Sequence, residues 1–244
     1  MRVLAIGNSF SEDATRYLSQ IAKAQGVDFE VVNLMIGGCS LERHYRNMLD
    51  DKDAYGLQFN GQRTGFDLSM REALLSREWD VVTIQQVSHL SFRKETFYPY
   101  ITALVGYIRQ CQPHAKVMFQ ETWSYEDGSD RLTKTAGYET SKAMLSDIQK
   151  TYAAVAEEEN LDGIIPSGTL FSMMLDRGIR QVHRDTFHAT LGLGRYALGL
   201  LWFRMLTGKS VADNGFSDLD VPASDEEIRI VKEIVDSFAP LIKE

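Results

Sequence analysis

A serine follows the first apolar run of the chain, at the point where a helix-like segment begins. Residues 7–11 read GNSFS, directly after the β-branched and aliphatic residues 3–6. A serine at a strand-to-helix turn is exposed enough to act as a nucleophile, and the N–H groups that follow it can stabilise an oxyanion. Two other interpretations stay open, since Ser9 or Ser11 can cap the helix and the turn can bind a phosphate.

An aspartate and a histidine lie close together near the other end of the chain. Asp185 and His188 are separated by two residues and precede a helix-like segment. At this spacing the carboxylate can orient the imidazole and stabilise the imidazolium that forms when histidine takes a proton from serine. The alternatives are an aspartate helix cap beside a surface histidine, and a metal site that includes His183, for which no fourth ligand is evident.

Short β-branched apolar runs alternate with segments of helical period along the chain. This pattern predicts an α/β fold, a three-layer sandwich in which helices cover a central parallel sheet of about five strands. We expect one domain over residues 1–244. The predicted strands are Val3 to Ile6, Phe29 to Ile36, Asp80 to Gln85, Ala115 to Glu121 and Gly163 to Pro166. The predicted helices are Asp13 to Gln25, Leu41 to Asp50, Met70 to Arg77, Phe97 to Gln110, Tyr138 to Glu158, Leu191 to Leu206 and Asp225 to Phe238.

Two segments interrupt the alternation. Residues 53–67 contain three glycines among aromatic residues and predict an irregular excursion or a small hairpin. Residues 123–136 are polar and predict a loop at the carboxyl end of the sheet, where open α/β folds bind ligands.

The order of these motifs resembles that of the SGNH, or GDSL-like, hydrolase superfamily. The closest resemblance is to a bacterial branch whose first block reads GNSFS and whose second block reads IGGCSLE, here residues 36–42. Asn8 stands where the better-known first block has aspartate. The resemblance extends over essentially the whole chain. It implies a flavodoxin-like SGNH hydrolase fold, with Ser9 as the nucleophile and Asp185 and His188 as the pair that activates it.

The same resemblance implies an oxyanion hole made of the N–H groups of Ser9 and a second-block glycine, for which Gly38 fits best. The third block of the family usually supplies an asparagine amide, but residues 84–89 read IQQVSH and contain none. A glutamine amide donates the same kind of hydrogen bond, so Gln86 or Gln85 is expected to replace it, assisted by Ser88. Strand alternation points the two glutamines in opposite directions, and a purely structural polar strand end is the other interpretation.

Several polar and aromatic residues are candidates for shaping a cleft that fits a sugar ring. His44, Ser88 and Trp123 are the predicted substrate-binding residues, because aromatic faces and polar edges suit carbohydrate binding. Tyr125, His89 and Arg184 are further candidates.

Composition limits the partners of this chain. Its formal net charge is −8, and no run of lysine or arginine stands out, which argues against a nucleic-acid partner. Apolar stretches are interrupted by charges well before they reach the length of a membrane span, so no membrane partner is expected. Two cysteines, Cys39 and Cys111, are too few for a disulfide framework. The first residues lack a secretory signal, which predicts a cytoplasmic protein, or a periplasmic or secreted one if a leader has been removed.

Together these features predict a serine esterase that hydrolyses small or carbohydrate-linked O-acetyl esters through an acyl-enzyme. No cofactor or metal is required for that reaction. The alternative is a non-catalytic domain that keeps the fold and binds a ligand. The acyl and alcohol specificity, the compartment and the oligomeric state do not follow from the sequence.

Overall fold

The computed structural model describes residues 1–242. Its described part contains a seven-stranded sheet with the strand order β4-β3-β2-β1-β5-β6-β7. Five neighbouring strands, from β2 to β7 across the sheet, run parallel, and β3 and β4 form an antiparallel hairpin beside β2. The strands are β1 (Arg2–Gly7), β2 (Glu30–Met35), β3 (Tyr55–Phe59), β4 (Gln62–Leu68), β5 (Val81–Ile84), β6 (Lys116–Gln120) and β7 (Gly163–Ile165).

Helices cover both faces of the sheet, which makes the fold the predicted three-layer α/β sandwich. One apolar core joins the sheet to α1, α2, α7, α8 and α9, and the other joins it to α3, α4, α5 and α6. The helices are α1 (Ser9–Thr15), α2 (Leu18–Ala24), α3 (Leu41–Asp50), α4 (Met70–Leu75), α5 (Tyr100–Cys111), α6 (Ser141–Glu158), α7 (Ser167–Asp176), α8 (Leu193–Thr207) and α9 (Asp225–Asp236).

Strand β1 shows why the parallel strands read as unbroken apolar runs. Val3 and Ala5 belong to one core, whereas Leu4 and Ile6 belong to the other. All four are at most 1% exposed, because successive side chains of a strand point to opposite faces and both faces are covered by helices.

The hairpin is the main addition to the predicted five-stranded sheet. β3 and β4 are joined by Asn60 and Gly61, whose φ angles are +49° and +79°. Two consecutive positive φ values define the tight turn that asparagine followed by glycine favours between antiparallel strands. Of the two predictions for residues 53–67, the small hairpin is therefore the one that forms, and it extends the sheet by pairing with β2, with Leu57 opposite Leu34.

Three local differences concern helices. The segment predicted as one helix over residues 13–25 is divided into α1 and α2, with Arg16 and Tyr17 between them. Helix α7 was not predicted, although it buries Leu170, Phe171 and Met174 in the core that it shares with α8 and α9. The predicted loop at residues 123–136 contains one turn of π-helix, Arg131–Ala136. Within residues 1–242 no helix is long and apolar enough to cross a membrane.

Candidate active site

A cavity of about 360 Å³ opens at the carboxyl ends of the parallel strands. Open parallel sheets place ligand sites at this edge, because the loops that leave neighbouring strands meet there. Both catalytic candidates that were predicted to touch the reacting group, Ser9 and His188, line it. The lining residues are Asn8, Ser9, Phe10, Gly37, Gly38, Val87, Ser88, His89, Arg131, Phe187 and His188.

Ser9, His188 and Asp185 form a continuous chain of hydrogen-bonding groups. The Nε2 atom of His188 lies 2.8 Å from Ser9 Oγ, and its Nδ1 atom lies 2.8 Å from Asp185 Oδ2. The backbone N–H of His188 also donates to Asp185 Oδ1 at 2.8 Å. Residues 179 positions apart in sequence thus come within direct hydrogen-bond reach, with the geometry of a nucleophile, a base and a group that orients the base.

The ionisation of Asp185 fixes how this chain of groups is protonated. Burial by itself would raise the pKa of Asp185, but hydrogen bonds from the ring and backbone of His188 outweigh it and hold this pKa below its ordinary value. The ionised carboxylate only accepts hydrogen bonds, so Nδ1 of a neutral His188 carries the ring proton. Nε2 is then free to accept the proton of the Ser9 hydroxyl.

Asn8 holds the turn that presents Ser9. Its side-chain Oδ1 accepts from Phe10 N, which caps α1, and its Nδ2 donates to the carbonyl of Cys39 at 3.1 Å. Asn8 is only 2% exposed. The asparagine that replaces the usual aspartate therefore connects the first block to the second block, a bond that an ionised aspartate, which has no donor, cannot make.

A short loop presents Asp185 and His188 to the cavity. His183 and Ala189 form an isolated antiparallel bridge at its base, and Arg184 N donates to the carbonyl of His188. Thr186, between the two catalytic candidates, has a φ of +73°. A β-branched residue rarely adopts this conformation, which indicates that the surrounding contacts impose it.

Trp123 contacts both this loop and the Ser9 turn. Its indole N–H donates to the carbonyl of Phe187 at 2.6 Å, and its ring stacks on Phe10 with centroids 3.9 Å apart. Trp123 has no exposed surface, so the prediction that it contacts substrate is wrong. Its contacts instead join Phe10, the residue after Ser9, to Phe187, the residue before His188.

Asp13 connects α1 to the same loop through buried charges. Its carboxylate accepts from Arg184 Nη1 at 2.9 Å, from Arg195 Nε at 2.8 Å and from the backbone N–H of Ala189 at 3.1 Å. The Asp13 side chain has no exposed surface. A buried carboxylate needs such partners, and here they lie beside His188 and at the start of α8. Arg184, expected at the cleft, is occupied by this ion pair.

Two backbone N–H groups are available for an oxyanion. Gly38 follows β2 with a φ of +61°, which favours glycine, and it lines the cavity together with Ser9. Within residues 1–242 the backbone N–H groups of Ser9 and Gly38 donate to no protein acceptor. Both N–H groups therefore stay candidates for the backbone part of an oxyanion hole.

The two glutamine side chains do not reach the cavity, which corrects their predicted positions. Gln86 Oε1 accepts from Leu41 N and Val87 N, and its Nε2 donates to Thr96. Gln85 Nε2 donates to Asn8 Oδ1 at 2.7 Å. Both residues are at most 1% exposed, and their amides hold neighbouring loops together. The purely structural interpretation of this strand end fits these contacts.

Of the other predicted substrate-binding residues, Ser88 lines the cavity and His44 does not. The Ser88 hydroxyl lies 2.9 Å from the hydroxyl of Tyr125, which is itself fully buried. His44 has no exposed surface and bonds through Nδ1 to the hydroxyl of Tyr55. The prediction for His44 is wrong because the first turn of α3 directs its ring into the core beneath the second block. His89, a lesser candidate, does line the cavity.

No metal centre is evident in the described part of the chain. Residues 1–242 contain no group of three or more histidine, cysteine or acidic side chains that could hold an ion. The Nε2 of His183 donates to the Ser124 carbonyl at 3.0 Å instead of joining Asp185 and His188. Burial lowers the pKa of His183 to about 4, so this side chain is neutral at neutral pH.

Phe187 and Arg131 are lining residues that the sequence candidates did not include. Phe187 packs on the His188 ring with centroids 3.8 Å apart, and the guanidinium of Arg131 lies 3.8 Å from the centroid of Phe187. Phe187 lies inside the D-x-x-H motif and could be singled out for that reason. Arg131 carries no local signal, because it comes from the polar loop after β6.

Solved structures with the same architecture define the class of this fold. A protein from Slackia heliotrinireducens, provisionally described as an SGNH hydrolase, is similar with a TM-score of 0.59, 20% identity and coverage of 84% of this chain and 97% of that chain. The acetyl xylan esterase AlAXEase is similar with a TM-score of 0.55, 16% identity and coverage of 83% and 98%. The fold is therefore that of the SGNH, or GDSL-like, hydrolases, as the sequence motifs predicted.

Within that class the chain belongs to the family described as Domain of unknown function (DUF4886), which matches residues 2–233. A DUF4886 family protein from Bacteroides uniformis is similar with a TM-score of 0.90 and 29% identity, over 97% of this chain and 93% of that chain. No curated protein matches this chain in sequence.

Proposed function

We propose that this protein is a serine esterase that hydrolyses small or carbohydrate-linked O-acetyl esters through an acyl-enzyme intermediate. The observation that carries the proposal is the chain of two 2.8 Å contacts that joins Ser9 to His188 and His188 to Asp185 at the cavity. A helix cap does not require a histidine on the serine hydroxyl, and a phosphate site does not require an orienting carboxylate behind that histidine.

In the first step His188 takes the proton of Ser9 through Nε2 while Ser9 Oγ attacks the ester carbonyl. The negative charge that develops on the carbonyl oxygen is stabilised by the N–H groups of Ser9 and Gly38. His188 then gives its proton to the departing alcohol, which leaves an acyl group on Ser9. Asp185 stabilises the transient imidazolium and keeps the ring in the tautomer that presents Nε2 to Ser9.

In the second step water replaces the alcohol. His188 takes a proton from the water, the hydroxide attacks the acyl carbon, and the same proton returns to Ser9 as the acid leaves. The cavity of about 360 Å³ is at the small end of the range for ligand sites, which favours a short acyl group and a compact alcohol. Ser88 and His89 in its wall offer hydrogen bonds to a sugar ring as that alcohol. The name of the similar acetyl xylan esterase is consistent with this substrate class.

The direct test is hydrolysis of 4-nitrophenyl acetate by the wild type, Ser9→Ala and His188→Ala, with and without a metal chelator. Imidazole itself cleaves aryl acetates, so His114→Ala is a suitable control: His114 is exposed and lies at the opposite edge of the sheet. We expect turnover by the wild type and the control, no effect of chelator, and loss of most activity in the other two variants. Acetylated sugars are then the substrates to screen.

The same experiment separates the proposal from its alternatives. Equal rates for the wild type and both catalytic variants would show that Ser9 and His188 are not the catalytic pair. Loss of activity with chelator would indicate a metal-dependent hydrolase. The position of both glutamine amides outside the cavity favours one other candidate, a ligand-binding domain without catalysis. A wild type that is inactive on a broad panel of esters, and does not react with a fluorophosphonate at Ser9, would support that candidate.

A further inference from the structure

Arg131 is a cationic side chain in the wall of the cavity, and the reaction described above gives it no role. It is the first residue of the π-helical turn Arg131–Ala136, a kind of irregularity that occurs often at functional sites. Its guanidinium lies 3.8 Å from the centroid of the Phe187 ring and 5.7 Å from that of Tyr125. The two rings hold the charged group at the cavity by cation–π contact. Arg131 also donates a hydrogen bond to the Tyr125 hydroxyl, which leaves most of its five N–H donors for other partners.

The charge of Arg131 is not neutralised by a neighbouring acid. Within residues 1–242, Arg131 makes no ion pair with a carboxylate, in contrast to Arg184 and Arg195, which share Asp13. No acidic side chain is among the residues that line the cavity. A protein with a formal net charge of −8 therefore presents an uncompensated guanidinium at this site.

His89 does not compete with Arg131 as a permanent cation. Burial, followed by the positive charges of Arg131 and Arg93, lowers the pKa of His89 below its ordinary value. His89 is thus neutral at neutral pH and offers a hydrogen bond rather than a charge. The fixed positive charge in the cavity wall belongs to Arg131.

The stacking order shows which part of an ester Arg131 faces. His188 gives its proton to the leaving alcohol, so the alcohol part lies on the side of its ring. The Phe187 ring packs on His188 at 3.8 Å, and Arg131 covers the Phe187 ring at 3.8 Å. A group carried by the alcohol a few bonds from the ester oxygen reaches the guanidinium, whereas the carbonyl oxygen points toward the N–H groups of Ser9 and Gly38.

We propose that Arg131 selects esters whose alcohol part carries an anion, a carboxylate above all, as in an O-acylated acidic sugar. This inference rests on the serine esterase proposed above and names its substrate class. Arginine binds a carboxylate through two parallel N–H donors, and such charge-assisted bonds are about twice as strong as neutral ones. Arg131 is then a substrate-binding residue, and the Phe187 ring holds its guanidinium at the cavity by cation–π contact.

A matched pair of substrates tests this role. 4-Acetoxybenzoate carries a carboxylate on its leaving group, and methyl 4-acetoxybenzoate is its neutral counterpart. We expect the ratio of their kcat/KM values to fall about tenfold from the wild type to Arg131→Gln, mainly through KM of the anion, which corresponds to one charge-assisted hydrogen bond. Comparing this ratio between the wild type and the variant removes the difference in intrinsic reactivity between the two esters. Arg131→Lys should keep part of the preference, because it keeps the charge but loses the two-donor geometry.

Arg93→Gln is the matched control, since Arg93 also lies near His89 but does not line the cavity. It should leave the ratio unchanged. Sodium chloride should reduce the preference for the anion in the wild type and have little effect in Arg131→Gln. A second pair, 4-nitrophenyl monosuccinate and 4-nitrophenyl butanoate, places the charge on the acyl side and should show no dependence on Arg131.

The outcomes are distinguishable. An unchanged ratio in Arg131→Gln would refute the proposal, and equal losses on both acetoxybenzoate esters would reduce Arg131 to a support for Phe187. Dependence on Arg131 only in the succinate pair would place the anion on the acyl part and overturn the assignment to the alcohol. Hydrolysis of neutral esters by every variant would leave the serine esterase standing in each of these cases. A wild type inactive on all four esters would instead overturn both proposals.

Discussion

His188 and His44 each lie beside a hydroxyl or thiol side chain, but their surroundings differ. His188 lies between Ser9 and Asp185 at the cavity, and each of its ring nitrogens has a partner at 2.8 Å. His44 lies 3.0 Å from the Tyr55 hydroxyl and 3.5 Å from Cys39 Sγ, both through Nδ1. A histidine beside a nucleophilic side chain is therefore present twice, once open to a substrate and once enclosed in the core.

Burial and the lack of a neighbouring carboxylate keep His44 from acting as a base toward Cys39. Burial, with a smaller contribution from Arg43, lowers the pKa of His44 to about 3, and its Nε2 has no partner in the described structure. Burial also raises the pKa of the Cys39 thiol to about 12. A base that cannot be protonated and a thiol that cannot ionise do not form a catalytic pair at neutral pH. Access to the cavity and an orienting anion thus distinguish His188, the proposed base, from the buried His44.

The same substitution at both histidines gives the largest contrast. His188→Phe should lower kcat/KM for an aryl acetate by about 10⁴-fold or more, because loss of the base disables the nucleophile. His44→Phe should change it by less than about threefold, a difference below 1 kcal/mol in activation free energy. Steady-state kinetics on both variants measure this. Comparable losses at the two positions would contradict the assignment of His188 as the base.

Asp185 supplies the anion that His44 lacks. Asp185→Asn should lower kcat by about 10³-fold, somewhat less than loss of a fully buried triad aspartate, because the Asp185 side chain is 46% exposed. The melting temperature should stay nearly the same, which separates this effect from unfolding. Activity within tenfold of the wild type would mean that the backbone contacts of the loop are enough to orient His188.

Asp13 is expected to affect stability as well as activity. Asp13→Asn leaves Arg184 and Arg195 without their shared carboxylate and should lower the free energy of unfolding by about 3 kcal/mol, the cost of breaking a buried ion pair from one side. Urea denaturation measures the change. The control is Asp176→Asn, which removes an exposed ion pair with Lys142 and should cost less than about 0.5 kcal/mol. Similar small costs at both positions would show that the buried charges do not hold α1 against the His188 loop.

The last contrast concerns pH. The pKa of His44 is about 3 in the folded protein and 6.5, the ordinary value, in the unfolded chain. Between these two pH values His44 binds a proton in the unfolded chain but not in the folded protein. The stability contributed by neutral His44 is thus complete above pH 6.5 and is lost as the pH falls. On going from pH 7 to pH 5 the free energy of unfolding should fall by about 2 kcal/mol more in the wild type than in His44→Phe.

Urea denaturation at a series of pH values tests this, with the exposed His114→Ala as a control that follows the wild type. At pH 7 His44→Phe should cost about 1 kcal/mol through the lost bond to Tyr55. Parallel pH curves for the wild type and His44→Phe would contradict a neutral, buried His44.

The sequence by itself determined the parallel core of the sheet and the segments that carry Ser9, Gly38, Asp185 and His188. Strands covered on both faces must be apolar throughout, so their runs are visible without a structure. Turns after such strands meet at one edge, and the spacing of Asp185 and His188 is a local property. Residues 53–67 were predicted as an irregular excursion or a small hairpin, and the tight Asn60-Gly61 turn makes them the hairpin.

Only the tertiary structure decided which polar side chains of those segments face the cavity. Trp123, His44 and either Gln85 or Gln86 were predicted to lie there, yet each of these four side chains is at most 1% exposed and bonds to another loop or core residue. Arg131, which does line the cavity, comes from a loop with no periodic pattern. The direction of a side chain at a strand end or in a loop depends on contacts with residues far away in sequence, and these contacts exist only once the chain has folded.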